Sequence, residues 1–313
     1  MRAWAPSAIA GFVDRRVDLI VMRGTRFDHD GGTRWPGGGW VTAAAIAALS
    51  IVVVVVGGLV IGRRLAVRFA SPDEFSALTT DFHQLQELNA QVGVAIKRVG
   101  SDRDPVVLGD LQTGKAWSTM KVPLAIAVLQ DKRSPTATAT MVAAITESDN
   151  AAAEQLWASL GDPHTAAHKV DAVLRQAGDP TRVESQKVRP EFTAFGQSDW
   201  ALANQVRFLS RAACQDSDEP ILNLMGQIEP DQRWGLGTIP AARFKGGWGP
   251  SPTGQYLVRQ MGVLTTPSGQ AAVAIAAQPA SGTLADGTQA LTKISAWLAQ
   301  HLAMLPAGEC HRS

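Results

Sequence analysis

Hydrophobic and polar residues recur with two different periods along the chain, and the change of period predicts its elements. Apolar residues at helical spacing predict a first helix from Asp73 to Gln91. Two strand-like runs follow, Val92 to Val99 and Val106 to Asp110. The turn-forming stretch from Gly100 to Arg103 lies between them, so the pattern predicts a hairpin.

From Ser118 to about Gly226 the pattern is almost entirely helical, apart from a long loop from Gly178 to Gln197. Strand character then returns in three runs, Ala242 to Gly247, Gln255 to Thr265 and Ala271 to Gln278. A closing helix is predicted from about Thr283 to Leu305. This order places the terminal helices on one face of a single sheet and leaves the middle of the chain as a helical lobe.

The N-terminal part of the chain differs from the rest. Residues 41–62 carry no charged side chain and include five consecutive valines, which is long enough to cross a bilayer as a helix. We expect a transmembrane helix there, a disordered segment at 1–40 and a tether at 63–72. A buried core helix and the apolar region of a signal peptide stay open as alternatives. The main domain is then 73–313, with a helical subdomain at about 118–226.

Composition excludes some classes of function. The formal net charge is +1, and no stripe of basic and aromatic residues is present, so no nucleic-acid partner is expected. Cys214 and Cys310 either form a disulfide, which an oxidising compartment permits, or remain two free thiols. Neither cysteine has a nearby Cys or paired His at metal-ligand spacing. His164 and His168 have helical i, i+4 spacing but no acidic residue between them and no evident third ligand, so no metal or cofactor is expected.

The first motif that carries chemistry is Ser118-Thr119-Met120-Lys121, which precedes a strongly apolar segment. A helix that begins near Ser118 puts Ser118 and Lys121 one turn apart on the same face. A partly desolvated lysine near a second cation has a lowered pKa and can accept the serine proton, and Lys245 is the candidate for that cation. Taken alone, the motif is better explained by a helix cap at Ser118 and a solvated Lys121 side chain.

Two further motifs follow in order. Ser148 and Asn150 belong to a Ser-Asp-Asn triplet between two helical stretches, where Ser148 can pass a proton to a leaving nitrogen and Asn150 can hold a substrate amide and Lys121. A plain helix N-cap is the alternative for this triplet. Lys245-Gly246-Gly247 is expected to end a strand, with Gly247 open to a ligand. The backbone N–H groups of Ser118 and Trp248 can then converge on one carbonyl oxygen.

Together these motifs resemble those of the serine β-lactamases and penicillin-binding D-Ala-D-Ala peptidases, class A β-lactamases most of all. The resemblance covers about Gln91 to Leu305. It implies an α+β fold, in which a five-stranded antiparallel sheet is flanked by helices and meets a reduced all-helical subdomain at a cleft. It also implies a β-lactam or a peptidoglycan stem peptide as the bound partner, and a monomer.

The chain departs from that family in three places. Only 30 residues separate Ser118 from Ser148, about half the usual interval, so the helical lobe is expected to be trimmed. Gly246 replaces a hydroxyl residue that in relatives helps to hold the substrate carboxylate. Neither Glu184 nor Glu191 has an asparagine four residues on, as the deacylating base of class A enzymes does; Glu184 is the better substitute. The only tyrosine, Tyr256, follows the third motif, which excludes a tyrosine base.

Two functional hypotheses follow. The first is a membrane-anchored serine hydrolase of the cell envelope that is acylated on Ser118 and deacylates slowly, with its catalytic domain outside the cell. The orientation comes from the chemistry, because arginines flank residues 41–62 equally on both sides. The second is a non-catalytic module that keeps the fold to bind peptidoglycan or a partner protein. The full set of reactive residues favours the enzyme.

Overall fold

The computed structural model describes residues 72–85 and 88–310. Its centre is one five-stranded sheet, antiparallel throughout, in the order β2-β1-β5-β4-β3. The strands are β1 Ala90–Arg98, β2 Val106–Gly109, β3 Arg243–Pro250, β4 Tyr256–Thr266 and β5 Gly269–Pro279. Residues in the middle of β4 and β5 are buried on both faces, which explains their nearly continuous apolar sequence. The α+β class and the five-stranded antiparallel sheet are therefore confirmed.

Helices cover both faces of the sheet. The helices outside the middle of the chain are α1 Pro72–His83 and α8 Leu284–Gln300, and they contact each other through Phe82 and Trp297, whose ring centroids lie 5.4 Å apart. Helix α8 packs on the face that carries Val258, and α6 Leu202–Ala212 packs on the opposite face. The terminal helices and the middle helices thus sandwich the sheet, as the order of elements predicts.

The middle of the chain forms the helical lobe around one buried helix. The helices here are α2 Lys121–Asp131, α3 Ala139–Val142, α4 Asn150–Ser159, α5 Pro163–Gln176 and α7 Glu219–Leu224. A π-helical turn, Ala143–Glu147, continues α3, and short 3-10 turns occupy Trp117–Met120, Phe195–Gln197, Pro230–Gln232 and Gly235–Thr238. All residues of α2 from Lys121 to Leu129 are buried, because α4, α5 and α7 pack around it.

Three predicted boundaries are wrong. The first helix ends at His83 rather than Gln91; Leu85 and Leu88 still pack on the core, so the apolar period continues beyond the helix. The closing helix ends at Gln300 rather than Leu305. Strand β3 does not end at Gly247 but continues to Pro250, because it stays in register with β4.

The predicted segments 1–40 and 41–62 and the tether as far as residue 71 lie outside the described residues. Within residues 72–85 and 88–310, no helix combines the length and the apolar character that a membrane crossing requires. Cys214, just after α6, and Cys310 form a disulfide, which decides between the two alternatives for these cysteines. It ties the C-terminal end of the described chain to the segment that follows α6.

Candidate active site

Ser118 lies in the 3-10 turn Trp117–Met120, which leads directly into α2. Trp117, just before it, has a φ of 48°, a left-handed conformation that is uncommon for a bulky residue and is found preferentially at functional sites. The Trp117 ring packs on Phe192 with ring centroids 5.1 Å apart. This contact packs the turn against the loop that contains Phe192. Ser118 is partly exposed and lines a cleft.

The three motifs, far apart in sequence, meet at Ser148. Lys121 Nζ donates to the Oγ of Ser148 over 3.4 Å and to its carbonyl oxygen, and Lys245 Nζ donates to the same Oγ over 2.8 Å. Lys121 Nζ also donates to Asn150 Oδ1 over 2.8 Å. Within the described part of the chain, Lys121 directs its amine to this turn and not to Ser118 Oγ. Catalytic hydrogen bonds are often long before substrate binds, so this arrangement is compatible with a base role.

The Ser148-Asp149-Asn150 triplet combines both of its predicted roles. Asp149 is the N-cap of α4, and its carboxylate accepts from the backbone N–H of Ala152. Ser148 has a φ of 59°, and this left-handed conformation separates the π-helical turn from α4. Capping is therefore the work of Asp149, which leaves the side chains of Ser148 and Asn150 for the two lysines.

Burial sets the protonation of both lysines. Removal from water lowers the pKa of Lys121 to about 7, with the Asp149 carboxylate acting in the opposite direction. Lys245 is fully buried, and burial together with the nearby Lys121 lowers its pKa well below the ordinary value. A neutral amine on Lys121 can accept a proton near neutral pH, which is what activation of a serine hydroxyl requires.

Strand β3 brings Gly247 and Trp248 to the nucleophile turn. A side chain at Gly247 would meet the backbone nitrogens of Ser118 and Thr119 at 2.9 Å, so glycine permits this close approach. The Phe244 N–H donates to Met225 O, away from β4, and by the alternation of an antiparallel ladder the Trp248 N–H also points to that open edge. The Ser118 N–H is in the first turn of its helix and has no helical acceptor there. Both predicted oxyanion donors are thus placed at the cleft.

Of the two predicted deacylating carboxylates, Glu191 lines the cleft and Glu184 is not among its lining residues. The carboxylate of Glu184 accepts from the backbone N–H of Gln186, within its own loop. Glu191 accepts from Arg189 over 2.9 Å and is exposed, and hydrogen bonding holds its pKa below the usual value. A base that activates water needs a carboxylate free to accept a proton, so this arrangement is consistent with slow deacylation.

Two features of the site were not predicted from the sequence. One is an ion pair between two residues that line the cleft, and the other is a buried hydrogen-bond network around Arg259. Lys187 Nζ lies 2.9 Å from Glu154 Oε1, and both residues line the cleft. Buried Arg259 donates to Gly114 O, Trp200 O and Gln205 Oε1, and Gln205 Nε2 donates to Thr119 Oγ1 beside the nucleophile. The four-residue helical spacing of Asn150 and Glu154 was a signal for the first; a lone arginine in an apolar strand was a signal for the second.

No family model matches the chain, and no curated protein matches it. Solved structures do match. A β-lactamase from Streptosporangium roseum is 16% identical, with a TM-score of 0.57, and the match covers 74% of this chain and 100% of that one. A class A β-lactamase from Bacteroides cellulosilyticus is 18% identical, with a TM-score of 0.58 and coverage of 74% and 97%.

The chromosome-encoded β-lactamase of Vibrio parahaemolyticus gives a similar result, with 16% identity, a TM-score of 0.56 and coverage of 72% and 98%. These structures are matched over almost their whole length, whereas the sequences have diverged widely. At sequence identities this low, a structural match establishes the fold alone. The chain therefore has the fold of class A β-lactamases, the family that its motifs resemble.

Proposed function

We propose that the chain is a serine hydrolase that forms an acyl-enzyme on Ser118. The observation that carries the proposal is that Ser148 Oγ is held between the amines of Lys121 and Lys245, at 3.4 and 2.8 Å, beside the cleft that Ser118 lines. A structural hydroxyl has no need of two buried amines, and burying them without a function costs stability. This arrangement suits proton transfer at a reacting centre.

The residues divide the reaction as follows. Ser118 Oγ attacks the carbonyl carbon of an amide or ester, and its proton passes to Lys121 Nζ. The N–H groups of Ser118 and Trp248 stabilise the oxyanion. When the bond to the leaving group breaks, Ser148 gives its proton to the departing atom and regains one from the lysine pair. Asn150 holds Lys121 and offers its amide to the substrate. Water then hydrolyses the ester on Ser118, slowly, because no carboxylate among the described residues that line the cleft is free to activate it.

β-Lactams and peptides ending in D-Ala-D-Ala are the substrate classes to try first, because the fold is that of proteins acting on them. A β-lactam is also a sensitive reagent, since its strained ring acylates a serine even where recognition is weak. The proposal takes the chain to work as a monomer.

Intact-mass spectrometry of the full-length protein after exposure to benzylpenicillin tests the proposal. We expect one adduct, located on Ser118 by peptide mapping, that leaves over minutes to hours. Ser118→Ala should give no adduct, and Ser148→Ala should give it more slowly. Ser268→Ala, at the far end of β4 from the cleft, is the matched control and should react like the unaltered protein. An unmodified Ser118 at saturating reagent contradicts the proposal.

A non-catalytic binding module is the second candidate. It is favoured by Gly246, and by the fact that Glu154, Glu184 and Glu191 are each engaged in a hydrogen bond or an ion pair. The Ser118→Ala variant separates the two. A binding module keeps its cellular phenotype when Ser118 is replaced, whereas an enzyme loses it.

We also propose that residues 41–62 anchor the protein in the cell membrane with residues 73–313 outside. The disulfide between Cys214 and Cys310 supports this location, because disulfides persist in oxidising compartments. Protease added to spheroplasts should digest the hydrolase domain and leave cytoplasmic proteins intact. Full protection of the domain in intact spheroplasts, with digestion only after lysis, would reverse the proposed orientation.

A further inference from the structure

The face of β3 that bears Gly246 is walled by two tryptophans. Gly246 and Trp248 are two residues apart on the strand and share one face. Trp234, which precedes a 3-10 turn, packs edge to face on Trp248 with ring centroids 5.7 Å apart. A side chain at Gly246 would meet Trp234 at 3.4 Å and Trp248 at 3.5 Å. The position therefore offers no hydroxyl and is bounded by indole edges.

The neighbour of Gly246 on the next strand offers no charge either. Gln260 pairs with Gly246 across the ladder. Its Nε2 donates to Trp234 O over 2.8 Å, and its Oε1 accepts from the backbone N–H of Leu236 over 2.7 Å. Both ends of the amide are occupied in holding the Trp234 turn in place. Neither Gly246 nor its partner therefore offers a free side-chain donor to a substrate anion.

The part of the cleft that the structure describes also offers no available cation. Among the described residues that line it, the one cation is Lys187, which is bound to Glu154, and Glu191 adds a further negative charge. Arg189 lies nearby, but its guanidinium binds Glu191 and the carbonyl oxygen of Pro250. A substrate carboxylate placed here would give up its hydration without gaining an ionic partner.

The two lysines of the site do not fill this role. Lys245 is fully buried and donates to Ser148 Oγ and to Gly246 O. Lys121 is 1% exposed and donates to Ser148 and Asn150. Burial lowers the pKa of both, which favours neutral amines over the cations that a carboxylate requires.

The walls of the cleft suit an apolar group instead. Phe192, Trp248 and Tyr256 line it and are each partly exposed, around a volume of about 370 Å³. Aromatic side chains contribute large contact areas and stack on flat ligands. A cleft of this size accommodates a small acyl group with one ring.

We propose that the cleft selects uncharged acyl donors, namely esters or amides that carry an aromatic group and no carboxylate beside the scissile bond. The inference rests on the proposed function, since it specifies the substrate class of the Ser118 reaction. Benzylpenicillin then reacts through its strained ring and binds through its phenyl group. Its carboxylate weakens binding in this cleft. Natural D-Ala-D-Ala termini, which carry the same charge without the strain, are poor substrates.

Benzylpenicillin and its methyl ester are a matched pair of probes that differ only at the carboxylate. The second-order rate constant for acylation of Ser118 is measured for each with the full-length protein by intact mass. Each rate constant is divided by that compound's rate of hydrolysis in hydroxide alone, which removes the difference in intrinsic reactivity. We expect the normalised rate for the methyl ester to exceed that for the free acid by about five-fold or more. A higher normalised rate for the free acid overturns the inference.

A pair of variants tests the cause. Gly246→Thr supplies a hydroxyl, and Gly246→Val has the same shape without it. We expect Thr, but not Val, to shift the ratio toward the free acid by at least about three-fold. Equal ratios in the two variants would mean that the missing hydroxyl has no part in the selection.

The outcomes separate this inference from the proposed function. If both compounds label Ser118 and the free acid is faster, only the inference fails. If neither compound labels Ser118 at saturation, the acyl-enzyme function fails and the inference fails with it. The unaltered protein decides the main question by itself, so poor folding of a variant does not remove the test.

Discussion

Lys245 Nζ donates to Ser148 Oγ over 2.8 Å, and this contact joins the edge strand of the sheet to the turn before α4. It links the sheet to the helical lobe, because one residue belongs to the sheet and the other to the lobe. Lys121 reaches the same serine from a third element, α2. A hydroxyl held by two amines can give and regain a proton without a large movement, and this is the property on which the proposed chemistry depends.

The acylation rate should depend on pH through Lys121. Its pKa is lowered to about 7, and only the neutral amine can accept the Ser118 proton. We expect the rate to fall about ten-fold per pH unit below 7 and to reach a plateau above 8. Stopped reactions from pH 5 to 9, analysed by intact mass, give the profile.

A variant supports the assignment of that profile. Lys121→Arg keeps a positive charge at every pH in this range, so it should show no acylation at any of them. A flat pH profile in the unaltered protein, or an active Arg variant, contradicts the role of Lys121 as the base.

Gly247→Ala should slow acylation while the protein stays folded. The new methyl group would lie 2.9 Å from the backbone nitrogen of Ser118, so β3 must move away from the nucleophile turn. Because small displacements of reacting groups cost up to about 100-fold in rate, we expect a loss of 10- to 100-fold. Gly226→Ala is the control, since its methyl group would lie no closer than 3.4 Å to any neighbour. Equal acylation rates in the two variants would count against the predicted oxyanion donors.

Arg259→Met should destabilise the protein by about 3 kcal/mol or more, because it leaves several buried carbonyl oxygens without a donor. The lost contacts are those to Gly114, Lys115, Trp200 and Gln205. Urea unfolding followed by fluorescence measures the change. Arg182→Met is the control; that guanidinium is 78% exposed, and its loss should change the free energy of unfolding by less than about 1 kcal/mol. Similar changes in the free energy of unfolding for the two variants would contradict this stabilising role of Arg259.

Removal of the disulfide should lower stability without changing the chemistry. The bond closes a loop with a sequence separation of 96, and such bonds contribute about 2–4 kcal/mol. We expect Cys214→Ser combined with Cys310→Ser to lower the free energy of unfolding by that amount and to leave the acylation rate within two-fold. Reductant should destabilise the unaltered protein and have no effect on the double variant. A stability unchanged by either treatment would show that the bond is not formed in solution.

The periods of apolar residues were sufficient to predict most elements of the fold. Strands β1, β4 and β5 lie within two residues of their predicted bounds, because a buried strand needs a short apolar run and its turns need glycine or polar residues. The ends of α1 and β3 were not predictable in this way. Leu85 and Leu88 continue the apolar stripe after the helix has ended, and the glycines of β3 suggest a strand end although the strand continues.

The sequence by itself determined which residues could carry out acyl transfer. The types and the order of five residues can be read directly from it, namely Ser118, Lys121, Ser148, Asn150 and Lys245. Only the tertiary structure decided how these and the neighbouring side chains are arranged. It assigned helix capping to Asp149, closed Lys187 onto Glu154, and placed Trp234 beside Gly246. The last two contacts join residues that belong to different elements, and they depend on tertiary packing that no period of apolar residues records.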